Sequence, residues 1–108
     1  MLHIAMICNL GMSTSMLIEK MKTYAAEKGI EADIDALPFQ RIDDQVAKTD
    51  ILLLGPQVRH LYKKYTTEYG DRIPVIQIMD MQQYALLKAG EIFDTAYEEY
   101  ERADKKQE

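Results

Sequence analysis

Apolar residues fall in four short runs along this chain, and between those runs they recur at helical spacing. Leu2-His3-Ile4-Ala5-Met6-Ile7 is an apolar run of strand length, and strand-like runs are read at about 2 to 8, 31 to 37, 50 to 54 and 73 to 78. After the first run, Met16, Leu17, Met21, Tyr24 and Ala25 repeat with the helical period. Strands alternating with helical segments predict an α/β fold in three layers, a small open four-stranded parallel sheet with helices on both faces.

Local signals set the expected boundaries. The first helix should begin after Cys8, with Ser13 or Thr14 as its cap, and end at Gly29. The connection from Pro38 to Thr49 has room for about two helical turns, with Ile42, Val46 and Ala47 facing inward. Pro56 should open a third helix, where its missing N–H costs little, with Leu61, Tyr62 and Tyr65 as the inner stripe and Gly70 at its end. Asp80 reads as the N-cap of a short helix through Lys88. Gly90 should interrupt that helix before a last one from about Glu91 to Ala103, leaving a charged, frayed tail from Asp104 to Glu108.

In small open parallel sheets, ligands bind beyond the C-terminal ends of the strands, where the strand order reverses. With the order 2-1-3-4, the first and third strands are neighbours. The loop after Cys8 then faces the loop Gly55-Pro56-Gln57 across that switch point, and both help to form one site.

Composition narrows the classes. The 108 residues suit a single domain over 1 to 103, and 47% hydrophobic with 29% charged residues is a globular balance. The longest purely aliphatic run, Ile51 to Leu54, is too short to span a bilayer, and the N-terminus has no signal-peptide pattern, so a cytoplasmic protein without membrane insertion is expected. The net charge of −5 argues against nucleic-acid binding. No His/Cys/Asp/Glu cluster has metal-ligand spacing and no Walker lysine is present, so neither a metal nor a nucleotide cofactor is expected.

Chemistry concentrates in Cys8-Asn9-Leu10-Gly11-Met12-Ser13-Thr14-Ser15, a glycine- and hydroxyl-rich turn between a strand and a helix that begins with the sole cysteine. A loop opening a helix aims unpaired backbone N–H groups and the positive end of the helix dipole at one point, which stabilises an anion there. A cysteine at that point is a nucleophile suited to take and give a phosphoryl group, with backbone N–H groups from Asn9 to Ser15 and the hydroxyls of Ser13, Thr14 and Ser15 as donors to the equatorial oxygens. Gly11 brings the backbone close to the ligand with no Cβ in the way. Cysteine phosphatases use a related loop, but Thr14 stands where they place the arginine that clamps the phosphate. The residues thus leave three readings: a phosphocarrier, a small cysteine phosphatase, and a thiol-sensing regulatory domain.

The segment Cys8 to Ser15, the run Leu52-Leu53-Leu54-Gly55-Pro56-Gln57-Val58, and Ile78-Met79-Asp80 with Tyr84 and Gly90 together resemble the enzyme IIB components of the bacterial phosphoenolpyruvate-dependent sugar phosphotransferase system, in the lactose, cellobiose and N,N′-diacetylchitobiose branch. The resemblance covers about residues 2 to 100. It implies the 2-1-3-4 sheet, phosphocysteine at the position of Cys8, a phosphohistidine donor on a IIA partner, and a sugar acceptor held by a membrane IIC partner. The chain departs from the family's usual pattern at Asn9, where a small residue is common, and at Ala85, where glycine often follows the tyrosine.

Other residues carry two readings each. Gln57 is a candidate for phosphate or partner contact, against plain surface polarity; Arg59 and His60 are candidates for contact with an acidic partner surface, against solvent exposure without function. His3, near a strand's N-terminal end, reads as structural or exposed. Tyr84 reads as core packing or as a rim residue. Met6, Met12, Met16, Met21, Met79 and Met81 read mostly as core, with Leu10 and Met12 as a candidate apolar docking patch.

Overall fold

The structure, a computed structural model, describes residues 1–8 and 12–106; for residues 12, 13, 39 to 41 and 104 to 106 it describes the backbone alone. Strands β1 (Leu2–Ile7), β2 (Ala32–Ala36), β3 (Ile51–Leu54) and β4 (Val75–Ile78) form one sheet in the order β2-β1-β3-β4, every pairing parallel. Helices α1 (Met12–Glu27), α2 (Tyr62–Tyr69), α3 (Met81–Ala85) and α4 (Ala89–Lys106) surround it, with 3₁₀ segments at Phe39–Asp44, Val46–Lys48 and Pro56–Leu61.

Side chains alternate across a strand, so the sheet builds two cores. Leu2, Ile4 and Met6 of β1 pack with Leu17, Ile18 and Met21 of α1 and with Ile92, Phe93 and Ala96 of α4. Ala5 and Ile7 point the other way, with Ile42, Val46, Tyr65 and Tyr69. Leu52, Leu53 and Leu54 are all fully buried, because the central strand β3 is covered on both faces. Each such side chain contributes about 1.5–3 kcal/mol through burial, which outweighs the weak helical propensity of the short connections.

Several expected boundaries move, each for a local reason. Helix α1 starts at Met12, so Ser13 and Thr14 lie inside its first turn rather than before it. Its C-terminus is as expected: Gly29 has φ +76°, with Gly29 N–H bonded to Ala26 O and Ile30 N–H to Ala25 O, which satisfies two terminal carbonyls. The 38 to 49 connection is 3₁₀ and breaks at Gln45, so Ile42 and Val46 are buried but Ala47 is turned to solvent. The segment after Pro56 is 3₁₀ with a kink at Val58, and the α-helix begins only at Tyr62. That phase exposes Tyr62, leaves Leu61 half-buried, and gives the inner stripe to Tyr65 and Tyr69, whose rings stack at 5.9 Å. Gly70 ends α2 as expected. Asp80 caps α3 as read, its side chain accepting from Gln83 N–H at 3.0 Å, but the helix stops at Ala85. The chain turns at Leu87, φ +53°, not at Gly90. Gly90 lies in the first turn of α4, where an added Cβ would meet the Tyr24 ring at 2.9 Å. Helix α4 continues through Lys106, beyond the end expected near Ala103. Met6, Met21 and Met79 are core residues, whereas Met16 and Met81 are exposed.

Candidate functional site

Cys8 follows β1 directly and continues its alternation, so its side chain enters the core shared with α1 and α4 and is 7% exposed. Three ladders carry on just past the strand ends and bring the following loops together: Leu37 N–H bonds to Met6 O, Gly55 N–H to Ile7 O at 2.7 Å, and Met79 N–H to Leu54 O. The bond from Gly55 sets the second loop against Cys8. An ideal Cβ on Gly55 would lie 2.5 Å from the Cys8 Cβ and 2.6 Å from Gln57 Oε1, so only glycine fits and the Gln57 side chain folds back toward the cysteine. The two loops expected to face each other across the β1–β3 switch point do so at these residues.

The first turn of α1 supplies the hydroxyl. Thr14 is 2% exposed, and its Oγ1 lies 3.2 Å from Cys8 Sγ. Its hydroxyl thus lies within hydrogen-bond distance of the cysteine sulfur. The Tyr84 hydroxyl reaches the same oxygen at 3.2 Å, placing one residue of α3 in the site from 70 positions away in the chain. Sequence patterning weighs Tyr84 as core or rim; it is half-buried against the α1/α4 core, and its hydroxyl joins the site besides. The signal for it was Asp80, whose cap fixes a helical turn at the C-terminal end of β4, on the side of the sheet where Cys8 lies.

The remaining candidates divide. Ser15 is exposed; Pro56 is half-buried behind Gly55; Gln57, Arg59 and His60 are exposed on the 3₁₀ segment. Asn9, Leu10 and Gly11 lie outside the described residues, as do the side chains of Met12 and Ser13. His3 is far from Cys8 along β1, with Nδ1 3.3 Å from Asp33 Oδ2 and its backbone N–H donating to Asp50 Oδ2. Among the described residues no group of three His, Cys, Asp or Glu side chains is placed to hold a metal ion. No described helix is long and apolar enough to cross a membrane.

A lone cysteine at a strand end, a buried hydroxyl on its sulfur and a glycine pressed against its Cβ meet at one place, and comparison with known proteins gives the family. The family model described as "PTS system, Lactose/Cellobiose specific IIB subunit" matches residues 3–90. The chain belongs to this IIB family. It is thus a IIB component of the lactose/cellobiose type, a phosphotransferase of the sugar phosphotransferase system. The oligo-β-mannoside-specific EIIB component of Bacillus subtilis is 32% identical over 96 residues, covering 89% of this chain and 93% of the relative. The galactose-specific EIIB component of Lactococcus lactis subsp. cremoris is 34% identical over 98 residues, covering 86% and 91%. Among solved structures, the cellobiose-specific IIB component of Borrelia burgdorferi is similar with a TM-score of 0.77 and 28% identity over 94% of each chain. The lactose-specific IIB domain of Streptococcus pneumoniae has the same TM-score at 17% identity, covering 92% of this chain and 97% of that one, a likeness of fold.

Proposed function

We propose that Cys8 is the residue through which this IIB component works. Its sulfur accepts a phosphoryl group from a phosphohistidine on a IIA protein and passes it to a sugar of the cellobiose, chitobiose or lactose type held by a membrane IIC partner, with the chain itself in the cytoplasm. The observation that carries the reading is the placement of Cys8, at the C-terminal end of β1, with its Sγ beside the first turn of α1 and its Cβ against Gly55. The phosphate cradle is assigned to the backbone N–H groups of Asn9 to Ser15, with Leu10 and Met12 as apolar partner contacts and Gln57 and Arg59 at the rim.

Loading breaks the N–P bond of the phosphohistidine and forms S–P, the thiol proton passing to the released imidazole or to water. Delivery breaks S–P and forms O–P on the sugar, whose hydroxyl proton leaves to a base or to water. Incubation with phosphoenolpyruvate, the general phosphotransferase proteins and a cognate IIA should add one phosphate to this chain. Cys8→Ser should abolish productive transfer, because an alkoxide is a poorer leaving group than a thiolate. Peptide mass spectrometry locating the phosphate on His60 or His3 would overturn the assignment.

A further inference from the structure

The buried hydroxyl on the sulfur is itself held by a second hydroxyl, and this arrangement assigns a role to a residue whose hydroxyl reaches the sulfur through Thr14. Cys8 Sγ, Thr14 Oγ1 and Tyr84 Oη form a chain with 3.2 Å at each link. Thr14 is 2% exposed, so the link runs through a buried hydroxyl. A thiolate only accepts hydrogen bonds, and a threonine hydroxyl has one proton to give. When the sulfur is negative, Thr14 donates to it and Tyr84 in turn donates to Thr14, so the whole chain polarises toward the sulfur. When the sulfur carries the phosphoryl group its charge is gone and that polarisation lapses.

We propose that Tyr84 is a positioning residue for phosphoryl transfer: through Thr14 it holds a proton donor on the sulfur as the S–P bond breaks. This rests on Cys8 being the phosphoryl carrier. In delivery, the electron pair of the S–P bond stays on sulfur, and charge grows where the Thr14 hydroxyl points. A donor already oriented there stabilises that charge without reorganising. The placement of Tyr84 follows from Asp80, whose cap holds the single-turn helix α3 at the end of β4, and from the close of that turn at Leu87.

The test is back-transfer from the phosphorylated chain to its cognate dephosphorylated IIA, followed by rapid quench. In this step S–P breaks, N–P forms on the histidine, and the imidazole proton leaves to solvent. Tyr84→Phe should slow the maximum rate on the order of tenfold and leave the half-saturating IIA concentration unchanged. Thr14→Val should slow it at least as much, and Thr14→Ser should retain most of the rate because the hydroxyl is kept. Adding Tyr84→Phe to Thr14→Val should cost nothing further, since the second hydroxyl acts only through the first. Circular dichroism melts on each variant verify folding. A wild-type rate in Tyr84→Phe, or a full further loss in the double variant, overturns the relay while leaving Cys8 as carrier. Phosphate found away from Cys8 in the unmutated chain instead removes the reading on which the relay stands.

Discussion

At Gly55 the backbone of one loop passes so near the side chain of another that a single methyl group has no place, with the Cys8 Cβ on one side and the Gln57 amide oxygen on the other. Gly55→Ala must therefore push β3 away from Cys8 or turn the cysteine. Overpacking of this kind destabilises by roughly 1–3 kcal/mol, and urea unfolding should show a lower midpoint with an unchanged slope. If Cys8 carries the phosphoryl group as proposed, its phosphorylation by IIA should slow in the same variant at urea concentrations where it is fully folded, because the lost alignment lies beside the Cys8 side chain. Thr14 supports a second expectation at this scale. It places a neutral hydroxyl 3.2 Å from Sγ at the position where a cysteine phosphatase carries a guanidinium. Without that charge, hydrolysis of a generic aryl phosphate loses its main clamp on the transition state. Cys8-dependent turnover of such a substrate should be negligible in a steady-state colour assay, and vigorous turnover would favour a phosphatase.

Helices α1 and α4 are joined by a small polar cluster on the rim of an aromatic contact. The Tyr24 and Phe93 rings meet edge to face at 5.9 Å, Tyr24 Oη donates to Asp94 at 2.6 Å, and Lys28 Nζ donates to the same carboxylate at 2.8 Å. The hydrogen bond from Lys28, followed by that from Tyr24, holds the Asp94 carboxyl below its ordinary value. The same carboxylate raises both Lys28 and Tyr24, chiefly through the hydrogen bond each gives it. A lowered carboxylate stabilises the fold above its unfolded value, about 3.9, and loses that contribution as pH falls through the lower folded value. The raised lysine and tyrosine stabilise below their unfolded values, about 10.4 and 10, and lose that contribution as pH rises through the higher folded ones. Melting temperatures of the wild type should therefore exceed those of Asp94→Asn by a steady margin between pH about 5 and 9. The two curves should converge in stronger acid and in stronger base. A margin independent of pH over the whole range would show that packing, not charge, is what the substitution removes.

The molecule as a whole brings Cys8, Thr14, Tyr84 and Gly55 together at one end of the sheet, where β1 and β3 run side by side and their connections leave on opposite faces. A carrier that serves two proteins in turn from that end must offer both the same surface, and tight binding to one would delay delivery to the other. NMR titration with the IIA partner should show fast or intermediate exchange, with shifts gathered at residues 9 to 16 and 55 to 60. Shifts confined to Tyr97 to Arg102 of α4 would exclude a shared face around Cys8. Much of this was open to reading in the sequence, because its causes are local. Strand runs, the Gly29 terminus, the Asp80 cap and the placement of Cys8 before a hydroxyl-rich turn all depend on neighbours within a few residues. Helix phase in the short connections was not legible: an α period and a 3₁₀ period diverge within a turn, so Ala47 and Tyr62 face solvent and Tyr69 takes an inner place. Nor does a strand apolar at every position, such as Ile51 to Leu54, say which face each side chain joins. The sequence by itself determined the strands, the parallel α/β class and the placement of its cysteine at a strand end, because apolar period and capping chemistry are written residue by residue. Only the tertiary structure decided that Tyr84 reaches Thr14 and that Gly55 presses on Cys8, because contacts between residues 70 and 47 positions apart are set by how the sheet closes its two cores.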